Sequence, residues 1–252
     1  MKKIMFIAIA LCTGMLMAFQ PLAELTAEEI IKKAEDKMQG KTTTAELTIT
    51  IMRPKWNRVM KMKTWSKGTK YSMILLTAPA KERGTVFLKR DKEVWNWIPS
   101  VERTIKLPPS VMGQSWMGTD LSNDDLVRAD SKEDDYTHTL LGKETINGRE
   151  CYKISSVPGE DVAVVWGKIV SWIDVKDYIQ MKAEFFDEDE ELVNTFKASA
   201  IKKIGGKTIA TVLEIIPADK PLHKTVMMYK NIVWDKPIAD NFFTTQNMKK
   251  VK

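Results

Sequence analysis

Ala45, Leu47, Ile49 and Ile51 alternate with Glu46, Thr48 and Thr50, and this period of two governs most of the chain. Such a run is a half-buried strand, with one face for the core and one for water, and Pro54 ends it. Runs rich in β-branched and aromatic residues follow at 58–65, 70–77, 85–90, 93–98 and 103–107. Others lie at 137–146, 149–156, 168–174, 179–186, 192–204, 207–216 and 224–234. Two-residue hairpin signals, Asn147-Gly148 and Gly205-Gly206, join neighbours, as do Arg90-Asp91-Lys92 and the Pro99-Ser100 break. The acidic run Asp187 to Glu191 reads as a solvated hairpin loop that also discourages edge pairing. So many short strands joined by hairpins predict one antiparallel sheet that must curl or close.

Helical signals are few. Thr26-Ala27-Glu28-Glu29 is a capping box, and Ile30, Ile31, Ala34 and Met38 share one face of the helix it opens, over 27–39. Gly40 is the natural stop. That face is expected to pack against the concave side of the sheet. Pro108-Pro109 interrupts the strands, and Ser110 to Asp130 reads as a loop plus a short helix begun by Ser122. The fold class is therefore α+β, with helices few and the sheet dominant.

Met1-Lys2-Lys3 followed by the 16-residue apolar run Ile4–Phe19 has the pattern of a secretory signal and is short of a spanning helix. The expectation is a cleaved signal over 1–23, with Ala23 as its last residue and Ala18 as a competitor, then a single domain over 24–252. Export to the periplasm follows from it. Removing Lys2 and Lys3 lowers the formal charge from +6 to +4. Scattered lysines read as a solubilising surface; no nucleic-acid-binding module is recognised, and peripheral contact with anionic membranes stays open. Cleavage removes Cys12, so Cys151 is left without a disulfide partner. The later apolar run Val162 to Ile173 is too short to span and is broken by Lys168.

Catalytic patterns are missing. His138 and His223 lie near no nucleophile motif, and Cys151 reads as a buried, inert thiol. Asp120, Asn123, Asp124 and Asp125 do not match a calcium loop, and helix capping explains them. No enzyme activity, cofactor or metal is expected. The positive signal is a wealth of soft apolar side chains: Met60, Met62, Trp65, Met73, Trp95, Trp97, Met112, Trp116, Met117, Met181 and Met227 are candidates for lining an apolar cavity. From composition alone an ordinary core is the better explanation. Ile209, Leu213 and Ile215 alternate with Ala210, Val212 and Ile216, so that strand is apolar on both faces and favours a concavity. Ser110 to Leu126 reads as a movable flap over its mouth or a fixed plug, with Gly113 and Gly118 flanking Trp116 in favour of the flap.

Gly84-Thr85-Val86-Phe87-Leu88, then Trp95-Asn96-Trp97-Ile98-Pro99, then Trp116-Met117-Gly118-Thr119-Asp120-Leu121 with Asp125-Leu126 resembles the outer-membrane lipoprotein-sorting (LolA-like) proteins, in their longer branch. Leu121 stands where that branch usually has a second aromatic residue. The resemblance implies an open or half β-barrel with a helical lid, binding acyl chains of lipoproteins or other lipids in an apolar cavity. It also permits an accessory subunit of an envelope lipid exporter, partnered by an inner-membrane transporter. The carriers use a strand arginine in lid closure; Arg53, Arg58, Arg83, Arg90 and Arg103 are candidates for that latch or for gripping an anionic head group. Oligomeric state is not legible.

Overall fold

A computed structural model describes residues 25–128, 135–160, 162 and 164–252. The expected signal and its cleavage site lie outside these residues. Thirteen strands form one antiparallel sheet, β1 (Thr42–Arg53), β2 (Trp56–Lys67), β3 (Tyr71–Ala78), β4 (Val86–Arg90), β5 (Glu93–Ile98), β6 (Arg103–Lys106), β7 (Tyr136–Ile146), β8 (Arg149–Pro158), β9 (Lys168–Asp174), β10 (Gln180–Phe186), β11 (Leu192–Ile204), β12 (Lys207–Pro217) and β13 (Lys224–Trp234). Their order is β6-β5-β4-β3-β2-β1-β13-β12-β11-β10-β9-β8-β7, so the curved sheet is unclosed and β6 and β7 are its edges. Every pair but one joins sequence neighbours; the exception, β1 on β13, closes the two halves into a single sheet.

Helix α1 (Ala27–Met38) opens the described chain under the expected capping box, Thr26 Oγ1 accepting from the Glu29 amide and Glu29 Oε2 from the Thr26 amide. It ends differently from expectation. Gln39 is extended, and Gly40 has no left-handed backbone; a Cβ there would meet Asp235 Oδ1 at 2.8 Å and Thr42 O at 2.9 Å. Close approach of two chain segments, not a left-handed cap, requires that glycine. Two short helices, α2 (Asn123–Arg128) and α3 (Thr245–Met248), follow among the described residues.

Pairing register shows which covers share a face. Ile51, Thr225, Ile215, Phe196, Ala183, Ser171 and Ile154 are successive partners from β1 through β13 to β8 and therefore point to the same side. Ile154 packs with Ile30 and Ile31 of α1 and with Ile173. Ala183 and Phe196 pack with Trp166, from the β8–β9 connection. Ile51 packs with Trp116, from the β6–β7 connection. Helix α1 and both connections thus cover one face. The other face is covered, over β2–β5, by a C-terminal segment that the sequence pattern did not announce. There Phe243 and Met248 are buried with Met73, Leu75, Val86 and Leu88, and Phe242 lies against Trp65 with ring centroids 5.4 Å apart.

Candidate functional site

The segment Ser115–Ser122 is a closed turn seated on β1–β4. Its ends bridge Ser115 to Ser122, the Trp116 amide donates to Leu121 O at 2.8 Å, and the Thr119 amide to Trp116 O at 2.9 Å. Two consecutive left-handed residues, Met117 (φ 52°) and Gly118 (φ 76°), make the reversal. Glycine adopts this backbone freely, whereas at Met117 it costs about 1–2 kcal/mol, so other contacts must hold it. Gly113, the other glycine flanking Trp116, has an ordinary backbone. The Thr119 hydroxyl, buried, donates to Trp116 O at 2.7 Å.

Inside the turn, Trp116 is 1% exposed and meets Phe87 edge-on, centroids 5.5 Å apart. Leu47, Ile49, Ile51, Met60, Met62 and Leu76 complete the cluster, with Met117 and Met227 at its margin. The indole Nε1 is buried without a hydrogen-bond partner. In this arrangement the segment is a plug: it fills the face it covers.

What pins it is polar. The Arg53 guanidinium, at the end of β1, donates to both oxygens of Asp120 at 2.9 and 3.0 Å and to Gly118 O at 3.2 Å. The two side chains are 11% and 10% exposed. Thr225 Oγ1 donates to Asp120 Oδ2 at 2.7 Å and accepts from the Asp120 amide at 2.9 Å. Arg58 donates to Met117 O at 3.1 Å and pairs with Glu82. Asn194 Nδ2 reaches Asp120 O at 3.3 Å. β1, β2, β11 and β13 therefore all hold one turn. Of the five candidate arginines, Arg53 and Arg58 grip the segment; Arg83 donates to Thr77 O, Arg90 lies over Tyr71, and Arg103 sits exposed on the edge strand. Asp120 and Thr225 are the partners that the sequence reading did not assign.

A second cover is tied to the first. Trp166 Nε1 donates to Asp125 Oδ1 at 2.9 Å, while Ser122 Oγ accepts from the Asp125 amide at 3.1 Å and so caps α2 as expected, Asp125 Oδ2 accepting in return from the Ser122 amide and hydroxyl. Asn123 Nδ2 donates to Val111 O and Gln114 O. Among the described residues no cluster of His, Cys, Asp and Glu has metal-site geometry.

The candidate apolar lining does not assemble as one cavity. Met60, Met62, Trp116, Met117 and Met227 gather on the plugged face. Trp65, Met73, Trp95 and Trp97 lie on the opposite face beneath the C-terminal segment, because Trp65, Met73, Leu88 and Trp95 are register partners one residue out of phase with Met62. Met181 sits apart with Val170 and Trp172, and Met112 is half-buried in the connection before Trp116. Of the helical residues, Ile30 and Ile31 are buried and Ala34 packs beside them, while Met38 reaches Ala45, Ile209 and Ile232 instead. An open groove of about 560 Å3 on the opposite face, lined by Thr44, Trp65, Pro237, Ile238 and Phe242, was not foreseen. His138 is buried with Nδ1 2.8 Å from Ser156 Oγ. Burial, aided by Asp174, pushes the Cys151 thiol up to about 11, as befits an inert thiol.

A family model described only as an uncharacterized protein matches residues 68–250. No curated protein matches the chain. The fold superposes on a DUF1329 family protein from Desulfovibrio piger with TM-score 0.81, at 22% identity over 88% of this chain and 97% of that one. A domain described as an outer membrane lipoprotein-sorting protein, from Vibrio parahaemolyticus, gives 0.79 at 18% identity, over 88% and 98%. A LolA superfamily protein from Nitrosomonas europaea gives 0.77 at 25% identity, over 89% and 100%.

Proposed function

This chain belongs to the family whose model, described only as an uncharacterized protein, matches residues 68–250, and we propose that it is a LolA-like, exported, periplasmic carrier that shelters acyl chains of lipoproteins or other lipids. The face that carries α1, Trp116 and Trp166 is read as the concave one, and residues 24–252 as a single carrier domain. Binding and release need no covalent chemistry, cofactor or metal.

One observation carries this reading. An apolar cluster on one face of an unclosed sheet is sealed by a plug that a buried ion pair, Arg53–Asp120, holds from outside the hydrogen-bond ladder. Unlatching that plug breaks no strand pairing. It would expose Met60, Met62, Leu47 and Phe87, flexible or flat side chains against which an acyl chain gains ~25 cal/mol per Å2 of apolar surface removed from water. A buried ion pair suits such a latch, since desolvation offsets most of its attraction and the intact pair adds little net stability. The likeness to a lipoprotein-sorting domain and a LolA superfamily protein supports the same reading.

The test is uptake of a fluorescent fatty acid or a lipidated peptide by delipidated protein, with lipid extracted from purified protein identified by mass spectrometry. Saturable uptake that changes in Asp120→Asn is the expected result. No uptake by the wild-type protein would remove the carrier reading.

A further inference from the structure

We propose that the end of the sheet built from the β1–β2 and β12–β13 turns is a docking tip for an anionic lipid surface, with Trp56 and Leu222 entering the interface. Leu222 is 78% exposed and Trp56 52%. The two come from turns far apart in sequence, and β1–β13 pairing, with Met52 facing Lys224, brings those turns side by side. Val101, also exposed, lies at the same end on the β5–β6 turn. A single exposed apolar residue on a soluble protein is ordinary. A tryptophan and a leucine on neighbouring turns, flanked by cations, match the boundary between headgroups and acyl chains, where an indole keeps its N–H wet and buries its ring.

The charge around them selects the partner. At this end Glu82 is paired with Arg58, and Asp219 with Lys220. Lys55 and Lys81 are exposed and form no ion pair among the described residues, and Arg83 is exposed beside them, with Glu102 exposed on the β5–β6 turn. The β1–β6 side of the tip is thus basic, and such cations are drawn to an anionic membrane surface. The β10–β11 hairpin at the same end carries Asp187 to Glu191, on the far side of the β12–β13 turn. Repulsion there tilts the molecule so that the β1–β6 turns face the lipid.

The tip also touches the latch. The Arg53 guanidinium lies 5.9 Å from the centre of the Trp56 ring while its other side holds Asp120. A ring drawn into lipid leaves that contact, so membrane docking bears directly on the residue that pins the plug; this coupling rests on the carrier reading, whereas the docking itself does not.

Co-sedimentation of the soluble exported protein with protein-free vesicles tests it. Binding to phosphatidylcholine vesicles containing phosphatidylglycerol is expected, with weakening by salt and weaker binding to phosphatidylcholine alone. The Trp56→Ser/Leu222→Ser variant should bind about tenfold or more weakly, as for two apolar side chains that no longer leave water. Lys55→Glu/Lys81→Glu should lose only the preference for phosphatidylglycerol, and Leu192→Ser, on the acidic side, should bind as wild type. Absence of wild-type binding to either vesicle would overturn the proposal and leave the tip to a protein partner. Equal binding by the Trp56→Ser/Leu222→Ser variant would overturn it as well. Fatty-acid uptake, measured separately, keeps failure here distinct from failure of the carrier reading.

Discussion

Within Trp116–Asp120 every residue serves a separate purpose. The indole anchors, Met117 and Gly118 reverse the backbone, Thr119 ties the turn, and Asp120 takes Arg53. The run was legible as a motif, but not its partners. Arg53 is 67 residues from Asp120 and Thr225 is 105 away, and no local periodicity encodes such a pairing. Helix capping also gave Asp120 a sufficient local reading, which the structure assigns to Asp125 and Ser122 instead. The flap reading made Trp116 dispensable for stability. A ring 1% exposed against Phe87, Met60 and Leu76 is instead expected to matter for stability. Trp116→Ala is expected to cost about 3–5 kcal/mol in chemical denaturation, through the cavity it leaves. A loss under about 1 kcal/mol, within the range of surface substitutions, would show that the indole is not held there.

At the scale of elements, strand ends were legible where turn chemistry is explicit. β4, β10 and β11 end where Asp91-Lys92, the acidic hairpin and Gly205-Gly206 require, and α1 starts where its capping box does. The covers were not legible. The C-terminal segment and the Trp166 connection have no repeating pattern, so only the fold shows what they bury. Nor does alternation say which face of one strand joins which face of the next; that needs register, and it is why Trp65 and Met62, both soft apolar candidates, serve opposite faces. The α1 face was read from spacing alone, and Ile31, 4% exposed beside Ile154 and Ile173, allows a direct check. Ile31→Asp places an unpaired carboxylate in that contact and should destabilise by several kcal/mol, seen as a large drop in melting temperature. An unchanged melting temperature would mean that α1 does not pack there.

An unclosed sheet has to keep its shape without the continuous ladder of a barrel, and it has two edges to protect. β7 carries a register shift between Leu140 and Gly142 and a lysine at 143, devices that blunt an edge against further pairing. Just inside this edge, the corner where β8 meets β9 is fastened by charge. Asp174, 4% exposed, accepts from Arg149 at 2.7 and 3.3 Å and from the amides of Lys176 and Asp177. Burial acts to raise its pKa and is the largest single influence, but the Arg149 bond, the two amides and the Arg149 charge together outweigh it, leaving the carboxyl below its ordinary value. A carboxylate depressed by folding stabilises above its unfolded pKa, about 3.9, and loses that contribution as pH falls through the folded value. Asp174→Asn cannot titrate. The stability gap between wild type and Asp174→Asn should therefore be constant from neutral pH down to about 5 and shrink below about 4, where protonation removes what the substitution has already removed. Melting curves of both proteins across that range decide it. A gap that stays the same at low pH would mean that the Arg149 pair does not hold the corner.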